Sequence, residues 1–179
     1  MPTTLQYMQF SLGVYAASVK NSIEAPNGWE RLDWQPDMLN GFSAGTFVNG
    51  SEVVVSYTGT NGGLDYANWF IGAGFGLSQL YSAVDYYFSA VEKYGDNITF
   101  TGHSLGAGLA SLMAIYFNKQ ATVFDEAPFQ ASALSPIVAL AVKTYMDLKG
   151  YSSDAFNSYF ALGIIGDRPQ LISSKYQSI

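Results

Sequence analysis

A short turn sequence, GHSLG at residues 102–106, separates a strand-like run from a helix-like run. The run before it, NITFT at residues 97–101, is β-branched and aromatic, which predicts a short strand. After it, apolar residues recur from 105 to 118 at helical spacing, which predicts a helix. A strand and a helix joined this directly constrain the fold strongly, because the backbone has to reverse within a few residues.

The serine inside this turn, Ser104, is a candidate nucleophile. The glycines at 102 and 106 carry no side chains that would clash where the backbone reverses, so the turn leaves the serine hydroxyl exposed. The backbone N–H of Leu105 stands at the start of the predicted helix, where an oxyanion meets an unpaired donor and the positive end of the helix dipole. The alternative reading is a serine that serves only the geometry of the turn.

The longer string GHSLGAG at residues 102–108 resembles the class 3 lipase family, α/β-hydrolases that cleave acylglycerols and related esters. Residues 53–60 (VVVSYTGT) look like that family's strand ending in an aromatic-Arg-Gly-Thr/Ser loop, with Thr58 where arginine is usual. The resemblance implies that Thr60 supplies a second oxyanion donor through its backbone N–H. It also implies a lipid or other ester substrate, of triacylglycerol lipase or phospholipase type, and an acyl-enzyme on Ser104.

The Gly-rich and aromatic segment 61–77 stands where the family carries its lid, a flap whose apolar underside covers the serine until lipid opens it. The resemblance implies that Trp69, Phe70 and Phe75 form this underside and make transient contact with a lipid interface. A tightly packed Gly-aromatic loop is the alternative.

A serine nucleophile needs a base and an acid that orients the base. Asp167, inside Gly-Asp-x-Pro, is similar to the family's acid loop and is our first candidate for the orienting acid, with Asp125 as the alternative. His103 is the only histidine. It is poorly placed as the base, because adjacent side chains diverge on a sharp turn.

Family members carry the histidine base on a further loop, so we expect this chain to cover the N-terminal and middle parts of the family domain. A missing C-terminal segment would then supply the histidine. Two alternatives stay open. The chain could hydrolyse esters without a histidine base, through its oxyanion donors and substrate binding alone. It could also be a catalytically inactive lipid- or protein-binding module that retains the turn for its fold.

The rest of the chain alternates predicted strands and helices. We expect a helix over 4–21 with Leu5, Met8, Leu12, Tyr15 and Val19 on the face that covers the sheet, and an irregular connection over 29–40. A hairpin follows around Asn49-Gly50. Further elements are a helix over 77–94, a strand over 121–124, a helix over 134–148 and a strand over 159–165. This order predicts that residues 1–179 form one α/β domain. We expect an α/β-hydrolase-like fold, with a mainly parallel sheet and flanking helices. If a C-terminal segment is missing, the domain is C-terminally truncated.

The amino-acid composition indicates which classes of ligand and partner to expect. With 49% hydrophobic and 12% charged residues, the chain predicts a core-rich globular domain. A net charge of -6 argues against nucleic acid, and one histidine without any cysteine cannot build a usual zinc site, so we expect no metal and no cofactor. The first residues lack the basic and apolar stretches of a conventional signal peptide, which leaves a bacterial cytoplasmic location or export by another route.

Overall fold

The computed structural model describes residues 1–15, 25–36, 38–59, 75–126, 129–165 and 176–179. In chain order the elements of this part are α1 (Thr4–Gly13), β1 (Glu30–Gln35), β2 (Ala44–Asn49), β3 (Glu52–Tyr57), α2 (Phe75–Tyr94), β4 (Ile98–His103), α3 (Leu105–Tyr116), β5 (Gln120–Phe124), α4 (Gln130–Leu134), α5 (Pro136–Lys149), α6 (Asp154–Ile165) and β6 (Tyr176–Ser178).

The described strands form one six-stranded sheet in which the spatial order equals the chain order, β1 to β6. β1, β2 and β3 pair antiparallel, and β3, β4, β5 and β6 pair parallel. The predicted hairpin joins β2 and β3, but Asn49 pairs with Glu52, so the two turn residues are Gly50 and Ser51 instead of Asn49 and Gly50. Gly50 has a φ of 58°. The prediction of an α/β domain with a mainly parallel sheet is confirmed.

Helices cover the sheet on two faces. The larger core lies between the sheet and the helices α2, α3, α5 and α6, and α3 contributes a run of fully buried side chains to it. On the other side α1 packs on the sheet through aromatic side chains. The ring of Phe10 lies 4.9 Å from that of Trp29 and 4.7 Å from that of Phe47, measured between centroids. The position of α1 is therefore set by aromatic packing.

The predicted buried face of the first helix is wrong. Leu5, Met8 and Leu12 are 63%, 41% and 47% exposed, whereas Tyr7 and Phe10 are buried. The helix carries two apolar stripes, and the aromatic one packs on the sheet because it removes more apolar surface from water per residue. Residues 16–24, the second half of the predicted helix, lie outside the described residues.

Two other predictions fail where the sequence pattern is ambiguous. The connection expected at 29–40 contains the strand β1, whose residues alternate between exposed and half-buried, as in an edge strand. The strand expected at 159–165 is the second half of helix α6. There Phe156 and Tyr159 lie one helical turn apart and both pack against Tyr116 of α3.

The remaining helices match their predicted stop signals. Gly95, just past α2, has a φ of 87° and donates its N–H to the carbonyl of Val91 at 2.9 Å. The helix expected at 134–148 is α5, which begins at Pro136 after the N-cap Ser135 and ends at Gly150 in the left-handed conformation. The short helix α4 before it was not predicted. None of the described helices is long and apolar enough to cross a membrane.

The start of α1 generates a stability prediction. The Oγ1 of Thr3 accepts the N–H of Gln6 at 3.3 Å, and Oε1 of Gln6 accepts the N–H of Thr3 at 2.9 Å, which completes a capping box. We expect Thr3→Ala to lower the free energy of unfolding by about 1 kcal/mol in a urea titration. Thr4→Ala, one residue inside the helix, is the matched control. Equal effects of the two variants would show that the cap does not stabilise α1.

Candidate functional site

Ser104 occupies the junction between β4 and α3. Its backbone has a φ of 56° and a ψ of -121°, a strained conformation for a residue with a side chain. The N–H of Ser104 donates to the carbonyl of Phe124 at 3.1 Å, and its carbonyl accepts the N–H groups of Ala107 and Gly108 at 3.1 and 3.3 Å. Hydrogen bonds on both sides therefore hold the strained residue in the sharp strand-to-helix turn expected from the sequence.

The two glycines of the turn are required by close backbone contacts. A Cβ at Gly102 would overlap the carbonyl group of Gly106, and a Cβ at Gly106 would overlap the carbonyl oxygen of Tyr57 on β3. Neither glycine has a positive φ, so the requirement is one of space. The first turn of α3 thus lies directly against the ends of β3 and β4.

The backbone N–H of Leu105 is the first amide of α3. It donates no hydrogen bond to any of the residues that the structure describes. As one of the unpaired amides at a helix N-terminus, it stands at the positive end of the helix dipole. An anion that forms beside Ser104 would find this donor adjacent to it.

The exit of β3 lies beside the same turn. The N–H and Oγ1 of Thr58, the residue that replaces the family's arginine, both donate to the carbonyl of Ser43 at 3.1 Å. A Cβ at Gly59 would lie 3.4 Å from the Cβ of Ser104, so this exit passes directly over the serine. Thr60 lies outside the described residues, and its donor role stays a prediction.

His103 and Asp125 come together next to the turn. Nε2 of His103 lies 3.4 Å from Oδ2 of Asp125, which follows β5 with a φ of 46°. The other ring nitrogen, Nδ1, lies 3.5 Å from the hydroxyl of Tyr15. Each ring nitrogen of His103 thus has a neighbour, Asp125 or Tyr15, and the Asp125 side chain is 86% exposed.

Asp167 and the expected lid are not brought to the site by the described structure. Asp167, Trp69 and Phe70 lie outside the described residues, and Phe75 begins α2. The strand expected at 159–165, just before Asp167, is the second half of helix α6, so no strand leads directly to Asp167. Its role as the acid stays a prediction without that support.

Two side chains at this edge were not predicted as site residues, although Tyr15 was expected on the sheet-covering face of the first helix. The hydroxyl of Tyr15, just past α1, accepts the N–H of Gly59 at 2.6 Å and donates to the carbonyl of His103 at 3.2 Å. The carboxylate of Glu126, after β5, accepts a hydrogen bond from the buried Ser111 of α3. Burial raises the pKa of the Glu126 carboxyl, and the bond from Ser111 offsets part of that rise. Neither contact has a local sequence signal.

A serine presented between a parallel strand and the following helix, at the carboxyl edge of an α/β sheet, is the strand-turn-helix arrangement of the α/β-hydrolases. Comparison with known families gives the narrower assignment. The chain belongs to the phospholipase-like family, because the model of the Tle-like phospholipase domain matches residues 9–153. This finding agrees with a lipase or phospholipase family, the coarser part of the resemblance seen in the sequence.

One curated relative supports the same assignment. The chain is 35% identical over 95 residues to a protein described as extracellular phospholipase A1 from Serratia liquefaciens. The aligned part covers 51% of this chain and 29% of that protein. The match therefore spans less than a third of the length of this relative.

The contacts of Gly106 predict a large effect of a single methyl group. We expect Gly106→Ala to lower the midpoint of thermal unfolding strongly, or to prevent folding, because the methyl would overlap the backbone of β3. Gly13→Ala on α1 is the control, since none of the residues that the structure describes lies within 4 Å of its added Cβ. It should be neutral or stabilise by up to about 1 kcal/mol. A Gly106→Ala protein as stable as Gly13→Ala would contradict the close approach.

Glu126 predicts a pH-dependent stability difference. Because its pKa is raised in the folded state, the folded protein favours the protonated carboxyl. This contribution to stability is fully present below the unfolded pKa and is lost as the pH rises through the folded pKa. We expect Glu126→Gln to raise the thermal midpoint at pH 7 and to leave it nearly unchanged at pH 3.5. Glu92→Gln, at an exposed site on α2, should show no such difference, and a parallel pH dependence in both variants would refute the prediction.

Proposed function

We propose that this chain carries the nucleophile of a serine hydrolase of class 3 lipase type, which cleaves carboxylic esters of phospholipids or acylglycerols. The observation that supports it best is the strained backbone of Ser104, held between the end of β4 and the start of α3. Strained residues persist where the surrounding structure forces them, and they cluster at active sites. Family membership supports a lipid ester as the substrate.

The proposed reaction is acyl transfer through Ser104. Its Oγ attacks the ester carbonyl carbon and loses its proton to a base, and the carbonyl oxygen becomes an oxyanion. The N–H of Leu105 and the N–H of Thr60 stabilise this oxyanion. The C–O bond to the alcohol then breaks, the alcohol leaves with a proton, and water hydrolyses the acyl-enzyme. For a phospholipid the first product is a lysophospholipid.

We propose that the base is a histidine from another polypeptide segment. His103, the only histidine of the chain, has Nε2 close to Asp125 and Nδ1 close to Tyr15. Asp167 remains the proposed orienting acid. Asp125 is the alternative, and its position directly after β5 supports it. To decide between the two acids, kcat is measured for Asp167→Asn and for Asp125→Asn, each in the presence of the histidine-bearing segment. The larger loss of kcat identifies the acid.

The segment with Trp69, Phe70 and Phe75 is proposed as a lid over the serine. Its apolar side chains would be exposed only against a lipid interface, which fits an acyl substrate. We expect Trp69→Ala to reduce the gain in rate when the substrate passes from dissolved monomers to vesicles. An unchanged gain would support the alternative, a packed loop.

The second candidate function is a lipid- or protein-binding module without catalysis. It is favoured by one observation, that the ring nitrogens of His103 have Asp125 and Tyr15 as neighbours. In this reading the turn is retained because α3 cannot pack on β3 and β4 without it.

Exogenous imidazole tests the proposal on the chain as it is, because a small base can replace a histidine that is absent. We expect imidazole to accelerate hydrolysis of p-nitrophenyl butyrate and of phosphatidylcholine vesicles by the chain, above the rate of imidazole alone. Ser104→Ala should lower this acceleration about 100-fold or more, since the attacking oxygen is lost. Ser158→Ala, at an exposed serine of α6, is the control and should match the unmodified chain.

A fluorophosphonate gives a second readout that does not depend on turnover. The adduct, mapped by mass spectrometry, should fall on Ser104. Neither hydrolysis nor an adduct, together with binding to the vesicles, would overturn the enzyme proposal and favour the binding module.

A further inference from the structure

A regular hydrogen-bond ladder joins β3 and β4. The two strands are parallel and pair from Val53 with Ile98 to Tyr57 with Gly102. At the start of the ladder the N–H of Val53 donates to the carbonyl of Asn97 at 3.1 Å. In a parallel pair this bond repeats at every second residue. Continued beyond the last pair, the same step would join the N–H of Gly59 to the carbonyl of His103.

The hydroxyl of Tyr15 lies between the two groups that this next ladder bond would join. It accepts the N–H of Gly59 at 2.6 Å and lies 3.2 Å from the carbonyl oxygen of His103, to which it donates. The phenolic oxygen therefore links the two groups that the ladder would otherwise join directly. The two strands separate at this point by the width of one hydroxyl group.

Two neighbouring contacts explain why the strands part here. Thr58 binds the carbonyl of Ser43 with its N–H and its hydroxyl, which draws the exit of β3 toward β2. Gly59 has no side chain, and a Cβ there would overlap the hydroxyl of Tyr15 and lie 3.0 Å from the carbonyl oxygen of His103. Only glycine leaves space for the inserted hydroxyl.

We propose that Tyr15 is a positioning residue, whose hydroxyl sets the separation between the exit of β3 and Ser104. The inference rests on the proposed function, in which the oxyanion forms between Ser104 and the next amide after Gly59, that of Thr60. The hydroxyl fixes Gly59 against the last residue of β4, and it thereby fixes where the following amide begins.

Loss of the hydroxyl has a defined consequence. In Tyr15→Phe the ring is retained, but the N–H of Gly59 and the carbonyl of His103 lose their common partner. They then close onto each other or stay unpaired, and in both cases the donor that follows Gly59 moves relative to Ser104. A displacement near 1 Å at a reacting centre costs up to about 100-fold in rate. Substrate contacts away from the carbonyl are unchanged, so the loss falls on kcat.

The chain offers a matched control on the same two elements. Tyr7 of α1 donates its hydroxyl to Oγ1 of Thr99, at the start of β4, at 3.0 Å. Tyr7→Phe removes one hydrogen bond between α1 and β4. Tyr15→Phe removes the bond from the residue just past α1 to the end of β4, and with it the bond from Gly59. The two variants differ in their distance from Ser104, because Thr99 and His103 lie at opposite ends of β4.

The experiment measures kcat and KM for p-nitrophenyl butyrate with imidazole, and amide hydrogen exchange at Gly59 by NMR, in the unmodified chain and both variants. For Tyr15→Phe we expect kcat to fall about 10-fold or more, KM to change less than about 2-fold, and exchange at Gly59 to accelerate. For Tyr7→Phe we expect kcat, KM and Gly59 exchange to stay as in the unmodified chain.

The outcomes separate this inference from the proposed function. Equal kcat values in the two variants, or unchanged exchange at Gly59 in Tyr15→Phe, would overturn the positioning role while the hydrolase proposal stands. A rise in KM with kcat unchanged would also overturn it, since Tyr15 would then act in binding. If the unmodified chain is inactive and forms no fluorophosphonate adduct at Ser104, the proposed function fails and the catalytic part of this inference fails with it.

Discussion

The contact on which the rest of the structure depends is the backbone approach between the first turn of α3 and the ends of β3 and β4. Gly106 lies against the carbonyl oxygen of Tyr57, and Gly102 lies against the carbonyl group of Gly106. Because no side chain separates these segments, α3 begins directly at the end of β4. The same approach forces Ser104 into its strained conformation and leaves the amide of Leu105 at the edge of the sheet.

The opposite face of the sheet contributes to this edge through α1. Aromatic packing of Phe10 on Trp29 and Phe47 fixes the helix, and the chain that leaves it brings Tyr15 to the ends of β3 and β4. The sheet is thus held from both sides where Ser104 is presented. The hydroxyl of Tyr15 connects the chain just past α1 to the two strand ends beside Ser104.

The parts of the fold that the sequence predicted are those with a local cause. The hairpin turn at Gly50 and the helix end at Gly95 follow from glycines with positive φ, and the turn at Ser104 follows from the glycines on either side of it. The wrong predictions concern segments whose pattern allows two answers. Residues 159–165 are apolar enough for a buried strand, but they continue helix α6, in which Tyr159 packs against Tyr116 of α3.

In the candidate site too, the local features were predicted from the sequence and the long-range contacts were not. By itself the sequence determined the serine, its turn and the helix amide that follows, because these depend on glycine spacing over a few residues. It also indicated a lipid-ester hydrolase, with which the phospholipase-like family agrees. Only the tertiary structure decided the partners of His103 and the bridge made by Tyr15. Tyr15 is 44 positions from Gly59 and 88 positions from His103 in the chain. Contacts over such separations exist only once α1 has packed on the sheet.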